Sequence, residues 1–245
     1  MIEILKETAR YLVCVKPIGI AAQGTHAEAM PQLLSEQLGC DIFPVHRLDQ
    51  TVGGIMVYAK TVQEAARLTQ AMGQGQMQKT YLAVLTGCPA EKAGTLEDLL
   101  FHDRVKNKTY VVKRMRGGVK QAKLHYEILA RQDGLSLVRI RLETGRTHQI
   151  RVHMAWQGHP LFNDERYGGD RILKGTTFAK YKQFIENCFA LMPRHALHAR
   201  SLGFAHPRTG EELRFESALP EDFRQLVEKW DGYTASARQS LDDES

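Results

Sequence analysis

The sequence predicts an α+β protein built on a mixed, mostly antiparallel β-sheet with flanking helices. Short apolar runs rich in β-branched and aromatic residues recur along the chain, bounded by Gly, Pro, Asn or Asp. A few longer segments show apolar residues at helical spacing instead. In a chain of 245 residues, 43% apolar residues are enough to bury a substantial core. We therefore expect one folded domain over residues 1–233.

The amino-terminal third is predicted to open with strands. Apolar runs that end at turn residues indicate strands over residues 2–5, 11–15 and 54–60. Thr61 is well placed to cap a helix that runs through Met72, because apolar side chains recur at helical spacing after it.

The middle of the chain predicts an antiparallel meander and one short helix. Four strand-like runs follow each other closely, over residues 80–86, 109–113, 122–130 and 135–142. A helix is expected between residues 147 and 157, with Thr147 as its N-cap and with Gly158 and Pro160 closing it.

The carboxy-terminal part alternates between the two kinds of element. We expect a helix near residues 179–188, strands near residues 198–204 and 212–216, and a helix over residues 221–230. Residues 234–245 are polar and acidic with a single Leu, so they bury too little apolar area to offset the entropy of ordering. We expect them to form a mobile tail.

Cysteine usage and the amino terminus indicate the cell compartment. The four cysteines form no C-x-x-C pair, which predicts reduced structural thiols and no zinc–thiolate site. The amino terminus carries charges at Glu3, Lys6, Glu7 and Arg10, so it predicts neither a signal peptide nor a membrane span. We expect a cytoplasmic protein with no membrane partner.

Positive charge is concentrated in one stretch, residues 104–123, which we call the basic segment. The chain has 33 Lys and Arg against 28 Asp and Glu, and the basic segment alone holds eight of the cations and no acid. Such a run is either a solvated hairpin face or a contact surface for a polyanion such as nucleic acid. Lys113, Arg114 and Arg116 are its candidates for phosphate contacts.

Three segments place charged side chains tightly among apolar ones, which is more typical of a functional site than of a structural element. The first reads VHRLDQTVGG and contains His46, Arg47 and Asp49 just before the predicted strand at residues 54–60. A rigid sheet can hold a carboxylate at that position. Taken alone, Arg47 and Asp49 are equally explained as a surface ion pair on a turn.

The second segment reads ETGRTHQIRVH, and the third reads QKTYLAV. In the second, His148 and Arg151 share one helical face while Ile150 faces the core, so the face can address an anion. In the third, Lys79 and Tyr81 point to the same side of a strand. A core aromatic residue is the alternative interpretation of Tyr81.

Together these segments resemble the RluA-like family of pseudouridine synthases. The family signature H-R-L-D, followed by a Gly-rich turn and an apolar strand ending in A-K, matches residues 46–60. A second signature, T-G-R-T-H-Q-I-R-V-H followed by G-H-P, matches residues 144–153 and 158–160. Shorter matches lie at the motifs V-K-P, D-x-x-Y-G, L-H-A and H-P, which here are Val15-Lys16-Pro17, Asp164 with Tyr167-Gly168, Leu197-His198-Ala199 and His206-Pro207.

The resemblance implies an enzyme that isomerises uridines of ribosomal or transfer RNA without cofactor or metal. Asp49 is then the nucleophile or general base on a uridine swung out of its stack, Tyr81 stacks on the uracil, and Arg151 pairs with Asp49. The residues that it implies for RNA contact are Arg47, His46, Arg146, His148 and Lys79, with Lys113, Arg114 and Arg116 of the basic segment. It further implies a monomeric catalytic domain without the S4-like RNA-binding domain of many members and without an obligatory protein partner.

Two positions depart from the family pattern. Val52 stands where a small polar residue is usual, and Asn163 stands where Gly is common, although Asn tolerates positive φ better than most residues.

Two other functions are alternatives. An RNA-binding module without turnover would explain the basic segment but not Asp49. A glycosylase would share the chemistry of the C–N bond and release free uracil.

Overall fold

The computed structural model describes residues 1–132, 134–172, 179–206 and 209–243. Pro207 of the family match and the last two residues of the predicted tail lie outside the described residues. The chain divides into two compact units. The first unit comprises Met1–Tyr81, Arg141–Thr144 and Leu197–Ala218, and the second comprises Leu82–Ile140, Gly145–Ala196 and Leu219–Ser245.

The strands occur mostly in runs that single helices separate, as is typical of an α+β chain. The strands are β1 (Glu3–Glu7), β2 (Tyr11–Lys16), β3 (Phe43–Pro44), β4 (Gly53–Ala59), β5 (Met77–Thr86), β6 (Ala93–Asp103), β7 (Lys108–Val112), β8 (Val119–Gln132), β9 (Leu135–Leu142), β10 (Leu197–Ala205) and β11 (Glu212–Glu216). The helices are α1 (Met30–Leu38), α2 (Val62–Gly73), α3 (Gln149–Trp156), α4 (Ala179–Leu191) and α5 (Glu221–Asp243), with a short 3₁₀ helix at Glu165–Tyr167.

The first unit is built on a mixed sheet in which β4 is central. β2 lies between β1 and β4, and both pairings are antiparallel. β10 runs parallel to β4 on the other side, while β11 pairs antiparallel with β10 and β3 pairs antiparallel with β4. The predicted mixed, mostly antiparallel sheet with flanking helices is therefore confirmed.

The core of the first unit lies between this sheet and α2. Tyr11, Val57, Leu68 and Phe204 are all fully or almost fully buried in one cluster. Burying a large apolar side chain contributes about 2 kcal/mol each, so the cluster holds the strands that flank the predicted site. Thr61 caps α2, since its side chain accepts a hydrogen bond from the Glu64 amide, as predicted.

The second unit contains an antiparallel meander in which β6 lies between β7 and β8. Helix α3 packs on this meander through Val152, which contacts Leu100 and Ala122. A separate core forms around α4 and α5, and its large members are Phe162, Ile185, Phe223 and Trp230. The meander and α3 together place residues 145–153 of the second signature and the basic segment in one unit.

Two local expectations were wrong, and two elements were not predicted. Thr147 is not the N-cap of α3, because the residue before the helix is His148, in left-handed conformation at φ 53°. Helix α5 does not end at residue 230 but continues to Asp243, and Thr234 is buried with its hydroxyl donating to the Trp230 carbonyl at 3.0 Å. The sequence did not predict α1 or β6.

The single domain over residues 1–233 and the mobility of residues 234–245 stay predictions. All four cysteines are free, and burial raises the pKa of the Cys14 thiol to about 12, which keeps it protonated. Among the described residues, no helix is long and apolar enough to cross a membrane.

Candidate active site

Asp49 lies in a loop of the first unit, residues 45–52, that joins β3 to β4; we call it the Asp49 loop. The Val52 amide donates to the Asp49 carbonyl at 2.9 Å and closes a four-residue turn. Val52 is 1% exposed and Leu48 is buried, whereas Asp49 itself is half-buried. The apolar residue at position 52 thus anchors the turn in the core through its side chain and closes it through its amide.

A buried lysine of β2 fixes the next residue of the same turn. The Lys16 ammonium is 1% exposed and donates to three backbone carbonyls, those of Pro17 (2.7 Å), Ile20 (2.7 Å) and Gln50 (3.0 Å). Gly19 and Gln50 add a reciprocal pair of hydrogen bonds, from the Gly19 amide to the Gln50 carbonyl and from the Gln50 side chain to the Gly19 carbonyl. Since hydrogen bonds to a charged group are stronger than neutral ones, this lysine holds residues 17–20 against the Asp49 loop.

His46 holds the other end of the loop as a neutral ring. Its Nε2 accepts a hydrogen bond from the Val57 amide of β4 at 3.1 Å, so Nε2 carries no proton. Burial, and after it the nearby Lys79 charge, lower the pKa of His46 to about 3. The imidazole is therefore uncharged at neutral pH and acts as a backbone acceptor.

Two adjacent glycines let β10 approach β4 directly behind the loop. Gly53 lies opposite His198 and Gly54 opposite Ala199. Gly54 adopts φ +124°, and a Cβ there would lie 2.2 Å from the Ala199 carbonyl oxygen. Only glycine fits this close backbone approach at position 54, which explains the second glycine of the pair that follows the acidic turn.

Tyr81 belongs to the same unit and lies within the electrostatic reach of Asp49. It is 7% exposed at the centre of β5, and Lys79, two residues earlier, is also buried. Burial raises the pKa of the Tyr81 phenol, and the negative charge of Asp49 raises it further. The predicted shared side of Lys79 and Tyr81 is therefore a buried side, and the phenol remains protonated at neutral pH.

Arg151 lies on α3 in the second unit and forms a buried bidentate ion pair with Asp164. Arg151 Nε is 2.7 Å from Asp164 Oδ2, and Nη2 is 2.7 Å from Oδ1. Arg151 is 6% exposed and Asp164 1% exposed, so the two charges compensate each other out of water. Sequence reasoning matched Asp164 to the family but gave it no role; the pairing of Arg151 with Asp49 stays a prediction.

The other residues of the second signature tie α3 to its own unit. His148 is buried, with Nδ1 3.1 Å from the Tyr167 hydroxyl. Arg146 is exposed, and its Nε donates to the Gln121 carbonyl of β8 at 2.9 Å. Gln149 donates from its side chain to the Lys123 carbonyl at 3.0 Å. Of the two side chains predicted to contact RNA here, Arg146 faces water and His148 is buried.

The predicted phosphate contacts of the basic segment are exposed. Lys113, Arg114 and Arg116 all lie in the connection between β7 and β8, and each is open to solvent. The Arg116 guanidinium stacks 5.1 Å from the centre of the Phe101 ring, which limits its freedom. Arg47, in the Asp49 loop of the first unit, is exposed as well.

Asn163, which stands where Gly is common in the family, adopts a positive φ of 57°. Its side-chain amide donates to the Met192 carbonyl at 2.6 Å, so the departure from Gly is accommodated by a new hydrogen bond. Among the described residues, no group of three or more His, Cys, Asp or Glu side chains could hold a metal ion.

Comparison with known proteins identifies similar sequences and folds. The family model "RNA pseudouridylate synthase" matches residues 10–156. The chain is 37% identical over 183 residues to "Ribosomal large subunit pseudouridine synthase D" of Haemophilus influenzae, covering 75% of this chain and 54% of that protein. It is 35% identical over 234 residues to the protein of the same name from Pseudomonas aeruginosa, covering 92% and 71%.

The fold has a solved counterpart. "Human RNA Pseudouridylate Synthase Domain Containing 4" superposes with a TM-score of 0.75 over 94% of this chain and 93% of that one, at 24% identity. The chain spans about half the length of several bacterial relatives that it matches, 54% of the Haemophilus influenzae protein among them.

Proposed function

The chain belongs to the RNA pseudouridylate synthase family, and from this premise we propose that it converts uridines of RNA to pseudouridine with Asp49 as its catalytic carboxylate. The observation that carries the proposal is the Asp49 loop. Asp49 stands half-buried in a turn that Lys16, His46 and Val52 all fix, while Tyr81 lies within reach of its charge. Such preorganisation is what a carboxylate that attacks a substrate requires.

The reaction is an isomerisation and consumes nothing. The bond between uracil N1 and ribose C1′ breaks, a bond between uracil C5 and C1′ forms, the C5 proton leaves and N1 gains a proton. No electrons are exchanged with a carrier, so side chains alone can perform it. Asp49 acts as the nucleophile or general base on a uridine that has been swung out of its stack, a step that is cheapest in loops, bulges and strand ends.

Tyr81 supplies a flat surface for the extruded uracil. A buried ring next to the carboxylate can stack on the base, and its hydroxyl stays protonated because burial and the Asp49 charge raise its pKa. As a neutral phenol it can donate a hydrogen bond to the base. If it also removes the C5 proton, it must pass its own proton on in the same step, since the phenolate is disfavoured beside Asp49.

Arg151 is proposed to keep Asp49 ionised. Asp164 binds the Nε and Nη2 edge of the Arg151 guanidinium, and a planar guanidinium also binds carboxylates along its other edge. An ion pair on that edge would hold the pKa of a half-buried aspartate down against desolvation. This role comes from the family resemblance.

The RNA contacts are proposed to come from the exposed cations. Arg47, Arg146, Lys113, Arg114 and Arg116 face solvent and can neutralise phosphates, which positions RNA without reading its sequence. His46, His148 and Lys79 are better suited to holding the site, because His46 is neutral and the other two are buried. The names of the bacterial relatives make large-subunit ribosomal RNA the first substrate to test, ahead of transfer RNA.

The proposal is an enzyme that works as a cytoplasmic monomer, without metal, cofactor or partner protein. It is tested by incubating the purified protein, dialysed against a chelator, with an unmodified transcript of large-subunit ribosomal RNA. Pseudouridine is then mapped by carbodiimide labelling and primer extension, and free uracil is measured by chromatography. New pseudouridine without free uracil is the expected result.

Two other outcomes would select the competing functions. Free uracil with abasic sites in the RNA would identify a glycosylase. Salt-sensitive RNA binding without any change in the RNA, on both ribosomal and transfer RNA, would identify a binding module and remove the catalytic role of Asp49.

A further inference from the structure

One tyrosine hydroxyl forms hydrogen bonds with the backbone at the outer edge of the meander. Among the described residues β7 is the last strand of its sheet, so within that part of the chain its outward amides and carbonyls have no neighbouring strand to bond. The Tyr167 hydroxyl accepts from the Thr109 amide at 2.9 Å and donates to the Thr109 carbonyl at 3.3 Å. It therefore supplies both partners that a further strand would have given to Thr109.

The same hydroxyl also reaches the start of α3. His148 Nδ1 lies 3.1 Å from the Tyr167 oxygen. A hydroxyl has one proton and two acceptor positions, and here the proton is directed to the Thr109 carbonyl. If His148 carries its proton on Nδ1, the hydroxyl accepts from both His148 and the Thr109 amide and all its positions are filled. Burial raises the pKa of Tyr167, so the hydroxyl keeps the proton that this arrangement needs.

The ring of Tyr167 contacts the arginine that is proposed to serve the active site. The Arg151 guanidinium carbon lies 5.1 Å from the ring centre, and Lys108 Nζ of β7 lies 5.4 Å from it. Asp164, which holds Arg151 by two hydrogen bonds, immediately precedes the 3₁₀ helix that ends in Tyr167. One short segment thus supplies the carboxylate and the aromatic face that fix Arg151.

The backbone makes this segment a rigid support. The Tyr167 and Gly169 amides both donate to the Asp164 carbonyl, at 3.1 Å and 2.9 Å. Gly169 lies so close to Leu161 that a Cβ on it would be 1.8 Å from the Leu161 carbonyl oxygen. Arg166 also donates to the carbonyl of Asn107 in the turn between β6 and β7.

Strand β7 leads into the exposed cations of the basic segment. From these contacts we propose that Tyr167 is a positioning residue that links β7 to Arg151. Its hydroxyl fixes β7, and through β7 the connection that carries Lys113, Arg114 and Arg116. Its ring and the adjoining Asp164 fix Arg151. RNA held by the basic segment is thereby placed in a defined relation to the arginine. This inference rests on the proposed function.

The test separates the hydroxyl from the ring. Tyr167→Phe keeps the ring beneath Arg151 and removes the hydroxyl, so KM for the RNA should rise about tenfold, the effect of losing one to two buried hydrogen bonds, while kcat changes by less than about threefold. The Thr109 amide should exchange its hydrogen faster in the same variant. Tyr167→Leu also removes the aromatic face, so kcat should fall as well. Tyr126→Phe, on β8 of the same meander, is the matched control and should resemble the parent protein.

Two results would overturn the inference. One is a Tyr167→Phe protein with parental KM and parental exchange at Thr109. The other is a variant with a lower melting temperature but unchanged KM and kcat, which would give Tyr167 a purely structural role. Failure of the proposed function looks different, because then the parent protein itself makes no pseudouridine, while the exchange measurement at Thr109 still reports on the hydroxyl contact.

Discussion

The Asp49 loop and the basic segment are both rich in polar groups, but they differ in whether those groups are bound within the protein or exposed to solvent. Around the loop, the side chains of Lys16, His46 and Gln50 form hydrogen bonds with backbone groups of the first unit. In the basic segment, Lys113, Arg114 and Arg116 are exposed to solvent. The loop is fixed by many partners, whereas the exposed cations remain available to a substrate.

The difference follows from what each region is proposed to do. A carboxylate that attacks a carbon must be held within a fraction of an ångström, so its support has to be rigid. A phosphate contact in water tolerates movement, because charge attraction at the surface falls slowly with distance. We therefore expect a single substitution in the Asp49 loop to have a large effect. Substitutions in the basic segment should each weaken RNA binding by a small amount, and these amounts should add.

The largest effect is expected from Asp49→Asn. The amide keeps the shape of the side chain but can neither attack nor accept a proton, so turnover should fall about a thousandfold or more, as for other removed nucleophiles. RNA affinity should stay the same or increase, since a negative charge near phosphates is removed. Pseudouridine mapping and filter binding measure the two. Asp41→Asn, an exposed carboxylate shortly before the loop, is the control and should keep full activity. Parental turnover in Asp49→Asn would end the assignment of the nucleophile.

The second effect tests the rigidity of the loop through Lys16→Met. Methionine fills the space of the lysine stem but donates nothing to the carbonyls of Pro17, Ile20 and Gln50, so the folded state should lose about 3 kcal/mol. Urea denaturation of both proteins gives the difference. Lys182→Met removes an exposed ion pair with Glu186 and should cost less than about 1 kcal/mol. If the two variants are equally stable, the buried ammonium does not support the loop.

A smaller effect is expected from Tyr81→Phe, which keeps the ring and removes the hydroxyl. RNA affinity should persist while kcat falls about a hundredfold, the usual contribution of a positioned proton donor or acceptor. Tyr81→Ala should reduce both. Because burial and Asp49 raise the pKa of Tyr81, the phenol stays neutral below that pKa, and kcat of the parent should show no tyrosine ionisation between pH 6 and 9. An unchanged kcat in Tyr81→Phe would leave the residue with stacking alone.

The smallest and most graded effect belongs to the basic segment. Replacing Lys113, Arg114 and Arg116 by Gln should flatten the plot of log affinity against log salt by about two units, since each lost phosphate contact removes about 0.7–0.9 of slope. A charge-matched variant at the exposed residues Arg10, Lys180 and Lys182 should keep the parental slope. Equal slopes in both variants would make the basic segment a solvated face and remove the contrast with the Asp49 loop.

Much of the architecture follows from local patterns. The strands predicted over residues 11–15, 54–60 and 135–142 are present as β2, β4 and β9, with β4 ending at Ala59, since apolar runs between turn residues carry that information themselves. Thr61 caps α2 because a cap needs only its own helix. β6 was missed because Glu97 and Asp98 interrupt its apolar pattern, and only its pairing with both β7 and β8 makes it a strand. The cap of α3 was misassigned because Gln149 and His148 are bound by other parts of their unit.

For function, the sequence by itself determined the acidic turn with Asp49, the tyrosine strand, the cluster around Arg151 and the concentration of positive charge. These features are contiguous in the chain, so neighbouring residues define them. Only the tertiary structure decided that Lys16 is a buried anchor, that His46 is neutral, that Asp164 holds Arg151 and that Tyr167 joins β7 to α3. The partners in these contacts lie 13 or more residues apart in the chain, so neighbouring residues do not reveal them. A buried charge needs a partner, and only the fold decides which charges are buried.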